Sequence, residues 1–119
     1  MICEEVLNGV PELVSAELVA ATAQNGPFHS LHEGYAVLLE EWEEAEEQRR
    51  LAEGAFARLW DCIRYNAGFG EAGNLAWDCE DLAKNAVGEM IQFAAMAKKM
   101  RVLCVELEEF EGRMEEETG

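Results

Sequence analysis

Apolar residues recur at helical spacing along two long stretches of the chain. In the first stretch they lie at positions 31, 35, 38, 42, 45, 52, 56, 59 and 63. In the second they lie at positions 75, 79, 82, 86, 93, 96, 100, 103, 107 and 110. Steps of four and three residues predict two amphipathic helices that pack along a shared seam. One charged residue interrupts each stripe, Arg49 in the first and Glu89 in the second.

The breaks between the stripes predict where the helices begin and end. Asn25-Gly26-Pro27 should end a first helix over about 11–24. Ser30 with Glu33 three residues later forms a capping box, which should start a second helix over about 31–66. The glycine-rich segment 67–73 should form a turn before a third helix over about 74–111.

Two long helices joined by one turn predict an all-α fold built on a long antiparallel helical hairpin. If the turn is centred on Phe69, Arg49 faces Glu89, and the two could form a half-buried ion pair that fixes the register. We expect a single helical domain over 1–119, with a mobile acidic tail over about 112–119. Apolar positions off the seam, such as Leu39, Leu51 and Trp60, predict that another copy of the chain completes the bundle; the alternative is that the first helix covers them.

Charge and composition limit the partners. The 119 residues carry a formal charge of −16, which argues against direct binding of nucleic acid. This charge suits a cationic partner, a divalent metal ion or high solubility. The chain shows no signal peptide, no membrane-spanning apolar run and no Cys-x-x-Cys motif, so we expect a reduced, cytoplasmic protein.

Carboxylates gather on one face of the second predicted helix. Glu33, Glu40 and Glu47 repeat every seven residues, with Glu41 and Glu44 beside them. Neighbouring carboxylates repel each other, and a Mg²⁺ ion bound by their oxygens would relieve that repulsion. A solvated acidic helix face is the alternative, and the spacing alone leaves both open.

Two blocks, HEGYAVLLEEWEEAEE and NAVGEMIQFAAMAKKM, resemble the MazG-like branch of the all-α nucleoside triphosphate pyrophosphohydrolases, especially its short phage and prophage members. That family carries an E-E-x-x-E motif on one helix and E-x-x-D on a later one. Glu40, Glu41 and Glu44 match the first motif. The second aligns with Glu89 to Gln92, where Gln92 replaces the Asp.

The resemblance implies Mg²⁺-dependent cleavage of a nucleoside or deoxynucleoside triphosphate to a monophosphate and pyrophosphate. It implies these metal ligands: Glu40, Glu41, Glu44 and Glu89. Glu41 and Glu44 would be catalytic, and Phe28, Lys84 and Gln92 would contact the nucleotide. For Phe28 the alternative is an apolar contact that packs the turn onto the core. Glu89 has two competing roles, as a metal ligand or as the partner of Arg49.

Two hypotheses without an enzymatic activity remain open. A dense array of carboxylates can imitate phosphates, so an acidic protein could block the basic surface of a nucleic-acid-binding partner. A phage protein that inhibits a host defence protein would be one form. The other reading is a structural dimerisation module without a ligand.

Overall fold

The structure, a computed structural model, describes residues 1–118 and contains three α-helices. They are α1 (Glu4–Asn25), α2 (Leu31–Arg64) and α3 (Phe69–Thr118), and no strand occurs among the described residues. The predicted all-α helical bundle, with a long helical hairpin and an N-terminal helix, is confirmed. Over the same residues, no helix combines the length and apolarity needed to cross a lipid bilayer.

Two helices are longer than the sequence predicted. Helix α1 begins at Glu4 and continues through Pro11, which lacks a backbone N–H but does not end the helix. Helix α3 begins at Phe69, before the predicted start, and continues through Gly112 to Thr118. The predicted acidic tail is therefore helical as far as Thr118, and its mobility stays a prediction.

The junction between α1 and α2 follows the predicted capping chemistry. Gly26, at a φ of 71°, donates its N–H to the Thr22 carbonyl at 2.8 Å and ends α1. Ser30 Oγ accepts the Glu33 N–H at 3.1 Å, as a capping box requires. The return bond differs from the prediction, because Glu33 Oε2 accepts the His29 N–H at 3.0 Å instead of that of Ser30.

Residues 1–40 and 91–118 form one compact unit, in which parts of all three helices pack together. Its buried centre consists of Phe28, Ala95 and Met96. Around it pack the half-buried side chains of Val14, Leu18, Ala21, Val37, Leu38, Met100 and Leu103. Lys98 Nζ donates to Ser15 Oγ at 3.1 Å, which ties α3 to α1.

Residues 41–90 form the second unit, a hairpin of the end of α2 and the start of α3. Asn66 adopts a left-handed φ of 54° and donates to the Ile63 carbonyl, while Ala67 donates to that of Cys62. These two bonds form a Schellman motif that ends α2, with Asn66 in the position usually held by glycine. Gly68, at a φ of 113°, then leads into α3.

The seam of the hairpin matches the prediction in α3 and only in part in α2, where Ala45, Ala52 and Leu59 are buried or half-buried as predicted. In this part of α3 the predicted seam positions 75, 79, 82, 86 and 89 are all half-buried, and Ala72 in the first turn is half-buried as well. In α2 the buried and half-buried positions of the heptad are 41, 45, 48, 52, 55, 59 and 62. The predicted seam residues Trp42, Phe56 and Ile63 are instead exposed. The α2 seam is lined largely by small residues such as Ala45 and Ala55, and bulky side chains would hold two helices further apart.

The position of the loop also changes which residues face each other. The loop occupies 65–68, so the hairpin is centred near Asn66 and Ala67 instead of Phe69. In an antiparallel hairpin the numbers of two facing residues add up to twice the number of the central residue. When the centre of the turn moves along the chain, the residue that faces a given position therefore changes by twice that many residues. Glu89 consequently lies beside Glu44, and not opposite Arg49 as the predicted register required.

Candidate metal centre

Three carboxylates converge between the arms of the hairpin unit. Glu41 and Glu44 lie one turn apart on α2, and Glu89 comes from α3. One carboxylate oxygen from each lies within 4.8 Å of the others. The sequence singled out all three residues, and the hairpin brings them together within one unit.

The three carboxylates differ in their surroundings. Glu41 and Glu89 are half-buried, whereas Glu44 is exposed. Burial raises the pKa of Glu89 above its ordinary value, and the charge and hydrogen bond of the Glu44 carboxyl raise it further. The site therefore disfavours a second negative charge beside Glu44, and a bound cation would favour that charge.

The donor set fits a hard divalent cation. Carboxylate oxygens are the protein ligands that Mg²⁺ and Ca²⁺ prefer, and two carboxylates with bound waters are a usual set for Mg²⁺. Gln48 lies one turn beyond Glu44, and its buried Oε1 has no hydrogen-bond partner among the described residues. Gln48 was not among the predicted site residues, although its spacing of seven residues from Glu41 places it on the same helix face.

Arg49 bonds to carboxylates of its own helix. Its guanidinium contacts Glu46 Oε1 at 2.8 Å and Glu53 Oε2 at 3.0 Å, and its side chain is 57% exposed. These two carboxylates raise the pKa of Arg49. The causes that move the pKa of Glu89 are burial and Glu44, and both raise it, whereas a facing guanidinium would lower it. We therefore assign Glu89 to the carboxylate cluster instead of an ion pair with Arg49.

Three other predicted site residues, Glu40, Lys84 and Gln92, are not members of this cluster. Glu40 and Gln92 belong to the first unit, where Gln92 Nε2 lies 3.5 Å from Glu17 Oε1. Lys84 is exposed and donates to Glu80 Oε2 at 3.1 Å, one turn away on α3. The Lys84 contact is an ordinary stabilising pair on a helix surface.

Phe28, predicted to contact a nucleotide base, lies in the core of the first unit. It is 6% exposed, and the Lys99 ammonium stands 4.2 Å from the centroid of its ring. Gly34 allows this packing, because a Cβ there would meet Phe28 Cδ2 at 3.1 Å and Met100 Sδ at 2.5 Å. The structure thus favours the role of Phe28 in packing the α1–α2 junction over base stacking.

Comparison of the chain with protein-family models, with curated proteins and with solved structures found no match.

Proposed function

We propose that this protein is a Mg²⁺-dependent nucleotide pyrophosphohydrolase whose metal centre is formed by Glu41, Glu44 and Glu89. The observation that carries the proposal is the convergence of three carboxylates from two helices within 4.8 Å. Burial and then the neighbouring Glu44 carboxyl raise the pKa of Glu89, and a bound cation would counter this effect. The resemblance of the two sequence blocks to the MazG-like enzymes supplies the reaction class.

Each residue of the cluster has a distinct place in this proposal. Glu41 and Glu89, which are half-buried, hold the cation from the two arms of the hairpin. Glu44 is exposed and so is the carboxylate most accessible to the phosphates and to the attacking water. A bound Mg²⁺ ion would neutralise phosphate charge and lower the pKa of a bound water. The products would be a nucleoside monophosphate and pyrophosphate.

The replacement of the family's Asp by Gln92 sets a limit on the proposed site. A Gln carbonyl oxygen can coordinate Mg²⁺ but brings no charge. In the structure, Gln92 Nε2 lies 3.5 Å from Glu17 Oε1. The proposed centre therefore depends on the three glutamates.

The test is release of pyrophosphate from nucleoside and deoxynucleoside triphosphates with Mg²⁺. Glu41→Gln and Glu89→Gln each remove one ligand charge and should lower turnover about 100-fold or more. Glu43→Gln is the matched control, since Glu43 is exposed on the same helix and is not part of the cluster. Equal activity in all four proteins would refute the assignment of these ligands.

A separate binding measurement distinguishes loss of chemistry from loss of metal. Mg²⁺ should raise the melting temperature of the wild-type protein and of Glu43→Gln, and have little effect on Glu89→Gln. A shift with Mg²⁺ but no turnover on any nucleotide would support a metal-binding protein that lacks the proposed activity. Neither shift nor turnover would reject the metal centre as well.

The second candidate is an acidic protein that occupies a basic surface of a partner. It is favoured by the charge of −16 and by a run of exposed carboxylates on α2 that includes Glu40, Glu43, Glu44 and Glu47. Capture of a basic partner should weaken steeply as salt is raised, because exposed charges are screened. Substituting Glu43 and Glu47 together by Gln should weaken this capture while leaving nucleotide hydrolysis unchanged.

A further inference from the structure

The closed end of the hairpin exposes a group of large aromatic and aliphatic side chains. We define the hairpin tip as residues 56–69, which end α2, form the loop and begin α3. Five large side chains in it are more than half exposed, from 54% for Ile63 to 98% for Phe69; the others are Phe56, Trp60 and Tyr65. With about 200 Å² for each, roughly 700 Å² of mainly apolar surface is exposed, close to the ~800 Å² that each partner buries in a standard interface.

A cavity of about 380 Å³ opens beside the most exposed of these rings. It is lined by Cys62, Ile63, Asn66, Gly68, Phe69 and Ala72. A cavity of about 150 Å³ already accepts a benzene ring, so this one has room for a phenyl side chain. The tip thus presents both a protruding ring and an apolar cavity, which a self-complementary interface between two copies requires.

The distribution of charge favours contact between two copies at the tip over contact along the arms. The hairpin tip, residues 56–69, carries Arg58, Arg64 and Asp61, a local charge of +1. The arm 41–53 holds six acidic and two basic residues, and the arm 71–90 holds five acidic residues and one basic residue. Each arm therefore has a charge of −4, and arms placed side by side would repel. Contact through the tips keeps the arms of the two copies apart.

We infer that two copies of this chain associate through the hairpin tip, with Phe69 of each copy entering the cavity beside Cys62 of the other. This inference is independent of the proposed activity, because no residue of the tip belongs to the carboxylate cluster. It specifies the self-association that the sequence predicted and places it at the tip, which differs from the side-by-side completion of a bundle.

The test is the mass of the protein in solution, measured by sedimentation equilibrium between about 1 and 100 µM. Wild-type protein should dimerise, and Phe69→Asp should weaken the dimer at least about 100-fold, because two buried rings are lost. Asp is favourable in the first turn of a helix, so this variant should fold, which circular dichroism can check. Val19→Asp, at an exposed apolar position in α1, is the matched control and should not change the dimer.

Two further measurements separate the tip from other modes of contact. Raising NaCl from about 0.05 to 0.5 M should strengthen the dimer, because salt screens the repulsion between two acidic chains. A dimer disrupted by Leu51→Asp but not by Phe69→Asp would overturn the inference in favour of contact along the arms. A wild-type monomer over the whole range would also overturn it, as would vesicle binding lost in Phe69→Asp with no change in mass.

Discussion

Glu89→Gln removes one charge from the carboxylate cluster and keeps the size and shape of the side chain. Two unit charges separated by the 4.8 Å limit found in the cluster repel by about 1 kcal/mol in water and about 3 kcal/mol near a protein surface. Because Glu44 is exposed, the lower figure applies, and loss of the repulsion should stabilise the metal-free protein by about 1 kcal/mol. For a chain of 119 residues this corresponds to a rise of about 4 °C in melting temperature.

Mg²⁺ should remove or reverse the difference in melting temperature between Glu89→Gln and the wild type. At ten times its dissociation constant, a ligand that binds only the folded state stabilises it by about 1.4 kcal/mol. The wild-type melting temperature should then rise by about 6 °C, while that of Glu89→Gln should barely move. The variant is thus expected to melt above the wild type without Mg²⁺ and below it, or level with it, when the ion is saturating.

The direction in which stability changes with pH provides an independent test of the cluster. The pKa of Glu89 is raised above its ordinary value of 4.5, so the folded state binds this proton more tightly than the unfolded state. Protonation of Glu89 therefore stabilises the folded state. This contribution is fully present below the ordinary pKa of a glutamate and is lost as the pH rises through the pKa of Glu89 in the folded protein. Without Mg²⁺, wild-type stability relative to Glu89→Gln should fall over that window. With Mg²⁺ the trend should reverse, because the cation binds the deprotonated carboxylates.

The assay is thermal unfolding followed by circular dichroism, with and without Mg²⁺, at about pH 4 and about pH 7.5. Glu43→Gln, an exposed carboxylate outside the cluster, is the control and should behave as the wild type in all four conditions. The reasoning is refuted if Glu89→Gln melts below the wild type without metal and retains the full Mg²⁺ shift, since Glu89 would then be neither repelled by Glu44 nor a ligand.

Substitutions at four further positions test the fold by thermal unfolding. Ser30→Ala removes the acceptor for the Glu33 N–H and should cost about 1 kcal/mol, whereas Ser30→Asp should restore most of it. Asn66→Ala should cost about 1 kcal/mol because Asn66 has a left-handed φ, and Asn66→Gly should cost nothing; equal effects would contradict the role of Asn66 in ending α2. Gly88→Ala should stabilise by about 0.5–1 kcal/mol, since a Cβ there meets nothing within 4 Å. Gly34→Ala should fall short of that gain, because its Cβ would lie 2.5 Å from Met100 Sδ.

Local chemistry in the sequence determined the helices and several of their ends. Gly26 before Pro27 ends α1, and Ser30 with Glu33 starts α2, because these residues satisfy backbone groups by bonds to near neighbours. The heptad spacing of α3 also identified its seam, since one helix face must be buried against the other arm. The same spacing drew attention to Glu89 as a charged residue in that seam.

Only the tertiary structure decided where the hairpin turns and which residues then meet. The glycines at 70 and 73 suggested a later loop, but both are accommodated in the first turns of α3, and Asn66 adopts the left-handed conformation instead. The choice depends on packing between the arms, where small residues such as Ala45 and Ala55 form the α2 seam. A small displacement of the turn changes the residue that faces each position by twice as much. The turn at Asn66 therefore places Glu89 beside Glu44 and creates the carboxylate cluster.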